Sequence, residues 1–377
     1  MALTQVETSG LSGSGASSNS TTGNVFSQTG PFKNRIINGD MRIDQRNAGA
    51  AVTINSTANT YTLDRWFASG ESTDGVFTVD QTTDAPAGFS NSTRITTTTA
   101  DASIGSTQIY LFRQSIEGYN IYDLAFGTAS AKAFTFSFWV RSSLTGTFGG
   151  ALNNSANDRN YPFTYSISAA NTWEYKTISV TGDTTGTWLT DTGRGITLTF
   201  QIGAGSSRIA AAGSWTGTSS IYGATGATNV IGTLNATWDI TGVQLEAGTV
   251  ATPFERRSYG QELALCQRYL PAFGGANGGS SGAIGTGGFY TTTEASIGIP
   301  FLVQARVAPT GVTVSAAGDF RIDGTTSAAC TAIVLSSTSS TMGGVNCTYA
   351  TTTAAGTFGR MRTNTANALL YFTGCEL

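Results

Sequence analysis

The sequence of 377 residues contains no histidine, which excludes several kinds of catalytic site. Histidine is the commonest general acid or base in enzymes. Ser-His-Asp and Cys-His arrangements and HExxH metal sites all require it. Most hydrolase mechanisms are therefore excluded, and we expect a protein that is not an enzyme and needs no cofactor.

Charge is also scarce, since only 11% of the residues are charged and the net charge is -3. A nucleic-acid-binding protein would show a basic patch, and a membrane-surface protein a polybasic segment. The sequence has no run of roughly 18 apolar residues, the length that spans a bilayer. Its first residues, MALTQVETSGLSGSG, lack the basic and apolar regions of a secretory signal. We therefore expect neither nucleic acid nor membrane insertion.

Cysteines are few and lie in the C-terminal third, at Cys266, Cys330, Cys347 and Cys375. No C-x-x-C motif occurs, and without histidine the usual mixed zinc sites cannot form. Buried free thiols are one interpretation of these residues. A disulfide between Cys330 and Cys347 is the other, and the sequence leaves both open.

Aromatic residues, by contrast, are abundant, with 20 Phe, 13 Tyr and 6 Trp, so the chain can bury enough apolar area to fold. In AFTFSFWVRS (133–142) phenylalanines alternate with polar residues, which predicts a strand with one buried face. Many such short segments, broken by Gly, Asn and Asp, predict a mainly β protein with an antiparallel jelly-roll sandwich. In ATWDITGVQLE the apolar phase flips at Gly242, which predicts a β-bulge.

One helix interrupts the β pattern. Ser258 and Gln261 form a capping box, and Pro271 ends the helix. Apolar residues recur at spacings of 4, 3 and 4, at Tyr259, Leu263, Cys266 and Leu270. A helix this short needs a packing partner. The partner is either the chain's own jelly roll or two other copies in a three-helix bundle, which would make these four residues an oligomer contact.

The order of several motifs between residues 34 and 270 resembles that of a widespread group of bacteriophage virion proteins, described as tail-fibre, minor tail or structural proteins. The motifs that carry the resemblance are NRIINGDMRIDQRN, YTLDRWF, FRQSIEGYNIYDL, FTFSFWVRSSLTGTFGGAL and DITGVQLEAGTVATPFERRSYGQELALCQRY. The resemblance implies a carbohydrate-binding-module-like jelly roll on a phage particle. It also implies a protein that is assembled in the host cytoplasm and exposed on the virion.

The strand pattern and the resemblance together divide the chain into four predicted parts. Residues 1–33 are an N-terminal virion-docking segment that contacts other phage tail or head proteins. Residues 34–254 form the jelly roll, and residues 255–271 form the connecting helix. Residues 272–377 form a distal β domain that is similar to a β-sandwich.

Candidate glycan contacts lie on polar strand faces. A sugar site needs a solvent-facing aromatic ring beside hydrogen-bonding side chains. Trp139 fits this description, and Gln114 and Gln201 are further candidates; a contact beneath a loop or between subunits is the alternative for Trp139. The resemblance also makes Asp40 and Asp239 candidates for ligands of a structural calcium ion, although ordinary turn or capping carboxylates are the better interpretation of both.

Three functions are consistent with this sequence. The first is a homotrimeric tail-fibre or adhesion component that binds glycans on the host surface. The second is an architectural head-decoration or tail-connector protein without receptor binding. The third is a glycan depolymerase, which the absence of histidine and of a β-helix repeat disfavours.

Overall fold

The computed structural model describes residues 32–71, 74–274, 281–351 and 353–377. All of the predicted docking segment except Phe32 and Lys33 lies outside these residues. The prediction of a mainly β protein is confirmed. Within the described residues, no helix has the length and apolarity that a membrane crossing needs.

The first β unit is a sandwich of two six-stranded antiparallel sheets. Sheet A contains, in spatial order, β1 (Val52–Ile54), β4 (Val76–Thr82), β5 (Ser92–Thr99), β14 (Thr237–Ala247), β7 (Phe134–Ser142) and β10 (Glu174–Val180). Sheet B contains β2 (Thr60–Tyr61), β3 (Trp66–Ser69), β6 (Ile109–Glu117), β11 (Arg194–Ala204), β8 (Gly146–Asn153) and β9 (Asn160–Ile167). A small parallel pair, β12 (Ile209–Ala210) and β13 (Gly223–Ala224), lies beside them. The chain passes repeatedly from one sheet to the other, as in a jelly roll.

Alternating phenylalanines build the core of this sandwich, as the sequence predicts. Phe134, Phe136 and Phe138 on β7 are fully buried. The ring of Phe136 meets Phe163 of sheet B edge to face at a centroid distance of 4.8 Å, and Phe138 meets Phe200 at 5.2 Å. Each such pair adds about 0.5 to 1.5 kcal/mol beyond the area that it buries.

The predicted bulge at Gly242 is confirmed. The register between β14 and β7 shifts between Thr241 and Gln244, and Gly242 has a φ of +63°. This left-handed conformation strains most side chains. In a regular strand Trp238 and Ile240 would face one side and Val243 and Leu245 the other. The extra residue at the bulge turns Val243 and Leu245 to the core side, so that all four are buried in the core.

Helix α1 (Tyr259–Gln267) begins with the predicted capping box, in which Ser258 and Gln261 exchange hydrogen bonds. Most of its apolar seam packs within the chain. Cys266 and Leu270 are buried, and Leu263 packs against a small cluster that contains Ile37 and Ile43. Of the four predicted oligomer residues, Tyr259 alone is exposed, at 54%.

The second β unit is a closed six-stranded barrel rather than an open sandwich. Its strands, in order around the barrel, are β16 (Ala283–Phe289), β17 (Glu294–Pro300), β21 (Met342–Tyr349), β20 (Ser327–Thr338), β19 (Phe320–Asp323) and β22 (Phe358–Thr363). A three-stranded sheet of β15 (Ala272–Gly274), β23 (Leu369–Thr373) and β18 (Gly311–Val314) accompanies it. Closure pairs the two edge strands, which a sandwich leaves open.

Charged side chains fasten the two β units together. Glu376 accepts hydrogen bonds from Arg46 at 2.8 Å and from the buried Arg65 at 2.7 Å. Arg46 lies before β1, and Arg65 directly precedes β3. Arg306, before β18, donates to the carbonyl oxygens of Glu376 at 2.6 Å and Thr192 at 2.8 Å. The last residues of this sequence therefore lie in the joint between the units.

All four cysteines are buried free thiols. Cys330 and Cys347 share the barrel core, where a hydrogen bond that the Cys347 thiol donates to Cys330, together with burial, raises the pKa of the Cys347 thiol. We therefore expect four alkyl groups per chain when the protein is unfolded and alkylated without a reductant, as measured by mass spectrometry. Incorporation of two alkyl groups, rising to four after reduction, would instead establish the Cys330–Cys347 disulfide.

Candidate functional site

Trp139 lies on the outer face of sheet A, where the alternation of β7 predicts it. Its ring is half-buried and contacts Tyr175 of β10 at a centroid distance of 5.4 Å. The two residues are direct cross-strand partners, and Tyr175 is 45% exposed. Two neighbouring rings thus form an amphipathic surface on an otherwise polar sheet face.

Two further aromatic rings extend this surface across the bulge. A side-chain carbon on Gly242 would lie 2.7 Å from Phe89 and 3.2 Å from Trp139, so the glycine lets both rings approach the backbone. Phe89 in turn meets Phe254 edge to face at 5.3 Å. We refer to Tyr175, Trp139, Phe89 and Phe254 as the aromatic row. The exposed guanidinium of Arg256 lies over Phe89 at 4.7 Å, a cation–π contact.

A ladder of opposite charges runs beside the aromatic row. Arg94 of β5 and Arg141 of β7 flank Asp239 of β14, and their Nε atoms donate to its carboxylate at 2.9 Å and 2.8 Å. Both arginines also donate to Asp84, whose side chain is 49% exposed. The Arg141 hydrogen bond lowers the pKa of Asp84, so this carboxylate stays ionised at neutral pH. We refer to these four residues as the charge ladder, and their formal charges cancel.

The other two predicted glycan contacts are buried, contrary to the sequence-based expectation that they face solvent. Gln114 exchanges hydrogen bonds with the backbone of Ile37, and Gln201 accepts one from the amide of Ala224. Both side chains therefore satisfy backbone groups of segments that cover sheet B. Strand alternation could not reveal this, because those segments are distant in sequence.

The predicted calcium ligands do not form a cation site. Both carboxylate oxygens of Asp239 accept hydrogen bonds from guanidinium groups, which leaves no room for a cation. Asp40 pairs with Arg42. In the part of the chain that the structure describes, no three Asp, Glu, Cys or His side chains cluster at metal-binding distances.

Sequence reasoning missed three of the four residues of the aromatic row and three of the four residues of the charge ladder. Tyr175 could have been found from the alternation in WEYKTISV, which sets it on the same face as Thr177 and Ser179. Phe89 and Phe254 lie outside strands, where no periodicity marks them. Only the pairing of β5, β14 and β7 brings Arg94 and Arg141 to the same carboxylate.

Comparison with known proteins finds only distant structural similarity. No protein-family model matches the sequence, and no curated protein matches it. A putative sugar binding protein from Bacteroides thetaiotaomicron is similar over 57% of this chain and 100% of its own, with 13% identity and a TM-score of 0.34. A family 11 carbohydrate-binding module from Clostridium thermocellum, in complex with a mixed-linked tetrasaccharide, is similar over 54% of this chain and 100% of its own, with 13% identity and a TM-score of 0.28.

A third solved structure is the enzymatically active domain of tailspike protein 4 of bacteriophage CBA120. It is similar over 58% of this chain, with 12% identity and a TM-score of 0.30, and the match spans 22% of the tailspike chain. At such scores these likenesses establish no shared function. The chain's own strands define an antiparallel β-sandwich protein of the jelly-roll type, with one exposed aromatic and charged surface on sheet A.

Proposed function

We propose that the outer face of sheet A binds a neutral glycan, and that the protein is a phage virion component that adheres to the host surface through it. The observation that carries this proposal is the aromatic row beside the charge ladder. Rings such as Trp139 and Tyr175 offer an apolar surface to the face of a pyranose. The neighbouring carboxylates and guanidinium groups offer acceptors and donors to its hydroxyl groups.

The balance of charge supports a neutral ligand. Arg94 and Arg141 are both paired with Asp239 and Asp84, so neither arginine is free to neutralise an acidic sugar. Fixed pairs of this kind hold their side chains in one geometry before the ligand arrives. Such preorganisation lowers the entropic cost of binding.

Presentation on a phage particle, in three copies, completes the proposal. The resemblance of residues 34–270 to phage virion proteins supports this placement, with residues 1–33 docking on other tail or head proteins. Single sites of roughly millimolar affinity gain avidity when several copies engage one surface. This role involves binding without bond cleavage.

The proposal is tested by replacing Trp139 with alanine. We expect at least about tenfold weaker binding to neutral glucan, galactan or mannan polymers, because the central ring of the row is lost. Affinity electrophoresis of the full chain through gels that contain each polymer measures this loss. Tyr119→Ala, which removes a tyrosine that is 54% exposed beyond the end of β6 in sheet B, is the matched control and should bind normally.

Equal retardation of the parent protein and Trp139→Ala by every polymer that binds would refute the sheet A site. A thermal melt of each variant checks that the fold is intact. Since Trp139 lies on the outer face of its strand, its removal leaves the Phe-lined core unchanged.

A further inference from the structure

The barrel carries a second charged cluster that differs from the charge ladder because its charges do not cancel. Asp323 of β19 is the shared partner of three arginines. Its carboxylate lies 2.9 Å from Arg362, 3.2 Å from Arg321 and 3.5 Å from Arg360. Arginine stays protonated in proteins. Among the described residues none of these three guanidinium groups contacts a second carboxylate, so two positive charges remain in excess.

Strand register makes this cluster unfavourable for stability. Arg321 of β19 is directly opposite Arg362 of β22, and like charges in that position destabilise a sheet. Asp323 offsets part of the repulsion, and it is itself opposite Arg360. Arg362 also donates hydrogen bonds to the carbonyl oxygen of Ser281 at 3.1 Å and 2.9 Å, whereas Arg360 contacts, among the described residues, only Asp323. Unfavourable local arrangements of this kind are typical of functional sites.

An exposed aromatic ring lies in line with the arginines. Phe358, Arg360 and Arg362 alternate along β22 and therefore share one face of the strand. Phe358 is 68% exposed, and the Arg360 side chain is 47% exposed. The residues two apart are about 7 Å from each other along a strand. This distance suits a ligand that presents a ring and a negative charge on one unit.

The neighbouring strand leaves room for such a ligand. On β16, Gly288 lies opposite Phe358, and Thr286 lies opposite Arg360. On β17 the next positions in these two rows are Ser296 and Gly298. Small side chains at these positions expose one side of the phenylalanine ring and of the Arg360 guanidinium.

From this geometry we infer a second binding site, for a polysaccharide of uronic acids, formed by Phe358, Arg360, Arg362 and Arg321. The ring of a uronic acid stacks on Phe358. Its carboxylate, which is attached to the same ring, accepts hydrogen bonds from Arg360 in the planar fork geometry that arginine provides. A phosphodiester polymer of glycerol would meet the arginines but offers no ring to Phe358. The site is on the barrel and is independent of the sheet A site.

The test measures binding of the full chain to immobilised polygalacturonate, poly(glycerol phosphate) and dextran by biolayer interferometry. We expect binding to polygalacturonate to exceed the other two about tenfold or more at an ionic strength of roughly 10 mM, and to weaken strongly at roughly 1 M, where screening is nearly complete. Arg360→Gln should weaken it about tenfold, and Phe358→Ala about fivefold. Lys132→Gln, which removes an exposed cation of the sandwich, is the matched control and should have no effect.

Three results would overturn this inference. They are equal binding of polygalacturonate and dextran by the Trp139→Ala variant, which lacks the central ring of the sheet A site, equal binding of polygalacturonate and poly(glycerol phosphate), and unchanged polygalacturonate binding by Arg360→Gln. Unchanged melting temperatures show that the two variants fold, since neither side chain lies in the barrel core. Trp139→Ala should keep its polygalacturonate binding, because the two sites are separate. The polygalacturonate measurements therefore test the barrel site even if the sheet A proposal fails.

Discussion

Replacing Glu117 with alanine should lower the free energy of unfolding of the sandwich by about 3 kcal/mol, which is among the larger effects that one substitution can have. Glu117 ends β6 and is almost fully buried. Its carboxylate accepts hydrogen bonds from Arg268 at 2.6 Å and 2.9 Å and from the Tyr269 hydroxyl at 2.6 Å. These bonds fix the C-terminal end of helix α1 to sheet B.

The loss is large because alanine leaves buried partners unsatisfied. The Tyr269 ring is fully buried beneath the Arg65 guanidinium, at 3.5 Å, so its hydroxyl cannot turn to solvent. The Arg268 side chain is 29% exposed, so its guanidinium can be hydrated when Glu117 is lost. The loss of unfolding free energy is therefore near the lower end of the range of about 3 to 5 kcal/mol for a broken buried ion pair.

Urea unfolding followed by tryptophan fluorescence measures this change in the sandwich alone, since all 6 tryptophans lie between residues 66 and 238. Glu117→Gln is the matched control. It retains one acceptor for Tyr269 and should cost less than alanine. If Glu117 and Arg268 are coupled, the double variant Glu117→Ala, Arg268→Met should lose less unfolding free energy than the two single variants lose together. An unfolding midpoint for Glu117→Ala equal to that of the parent would contradict the expectation.

The second large effect concerns pH. Asp64 is fully buried beside the joint between the two β units, and burial raises its pKa from 3.8 to about 7, although Arg46 and two hydrogen bonds from Gln45 lower it. Glu376 also faces it and raises the pKa, while the nearby Cys266 is a neutral thiol at these pH values. The folded state therefore holds the proton more tightly than the unfolded state does.

Because the folded-state pKa is the higher one, the contribution of Asp64 to stability is greatest below pH 4 and falls as pH rises to about 7. One pKa unit corresponds to about 1.4 kcal/mol, so the full loss is about 4 kcal/mol. The side-chain amide that Asp64→Asn introduces carries no charge at any pH. We therefore expect this variant to unfold at higher urea than the parent at pH 8, with an advantage that shrinks steadily towards pH 4.

Urea midpoints of both proteins between pH 4 and pH 8 test this expectation. Comparing the two proteins at each pH cancels the contributions of all other titrating groups. Asp191→Asn, which changes an exposed carboxyl group, should follow the parent at every pH. If the difference between Asp64→Asn and the parent stays constant across the range, Asp64 is already ionised in the folded protein at pH 4.

The mainly β fold could be predicted because its cause is local. The alternation of Phe134, Phe136 and Phe138 with polar residues repeats with the period of a strand, and that period decides which face is buried. Gly242 could be predicted as a bulge for the same reason, since a phase flip is visible in the sequence. The cap of helix α1 involves only Ser258 and Gln261, three residues apart.

The barrel and the two binding surfaces could not be predicted in this way. Whether the C-terminal strands close depends on the pairing of β16 with β22, whose residues are far apart in sequence. The solvent exposure of Gln114 depends on the segment around Ile37, which supplies its hydrogen-bonding partners. No local rule states which distant segment will cover a polar strand face.

The sequence by itself determined the β class, the absence of histidine chemistry, the bulge and the capped helix, because periodicity and short-range hydrogen bonds act within a few residues. Tertiary structure alone decided that the helix seam packs inside the chain and that Arg94 and Arg141 share Asp239. It also decided that Arg321, Arg360 and Arg362 share Asp323. These contacts join strands through register, and register is set by the packing of the whole sheet.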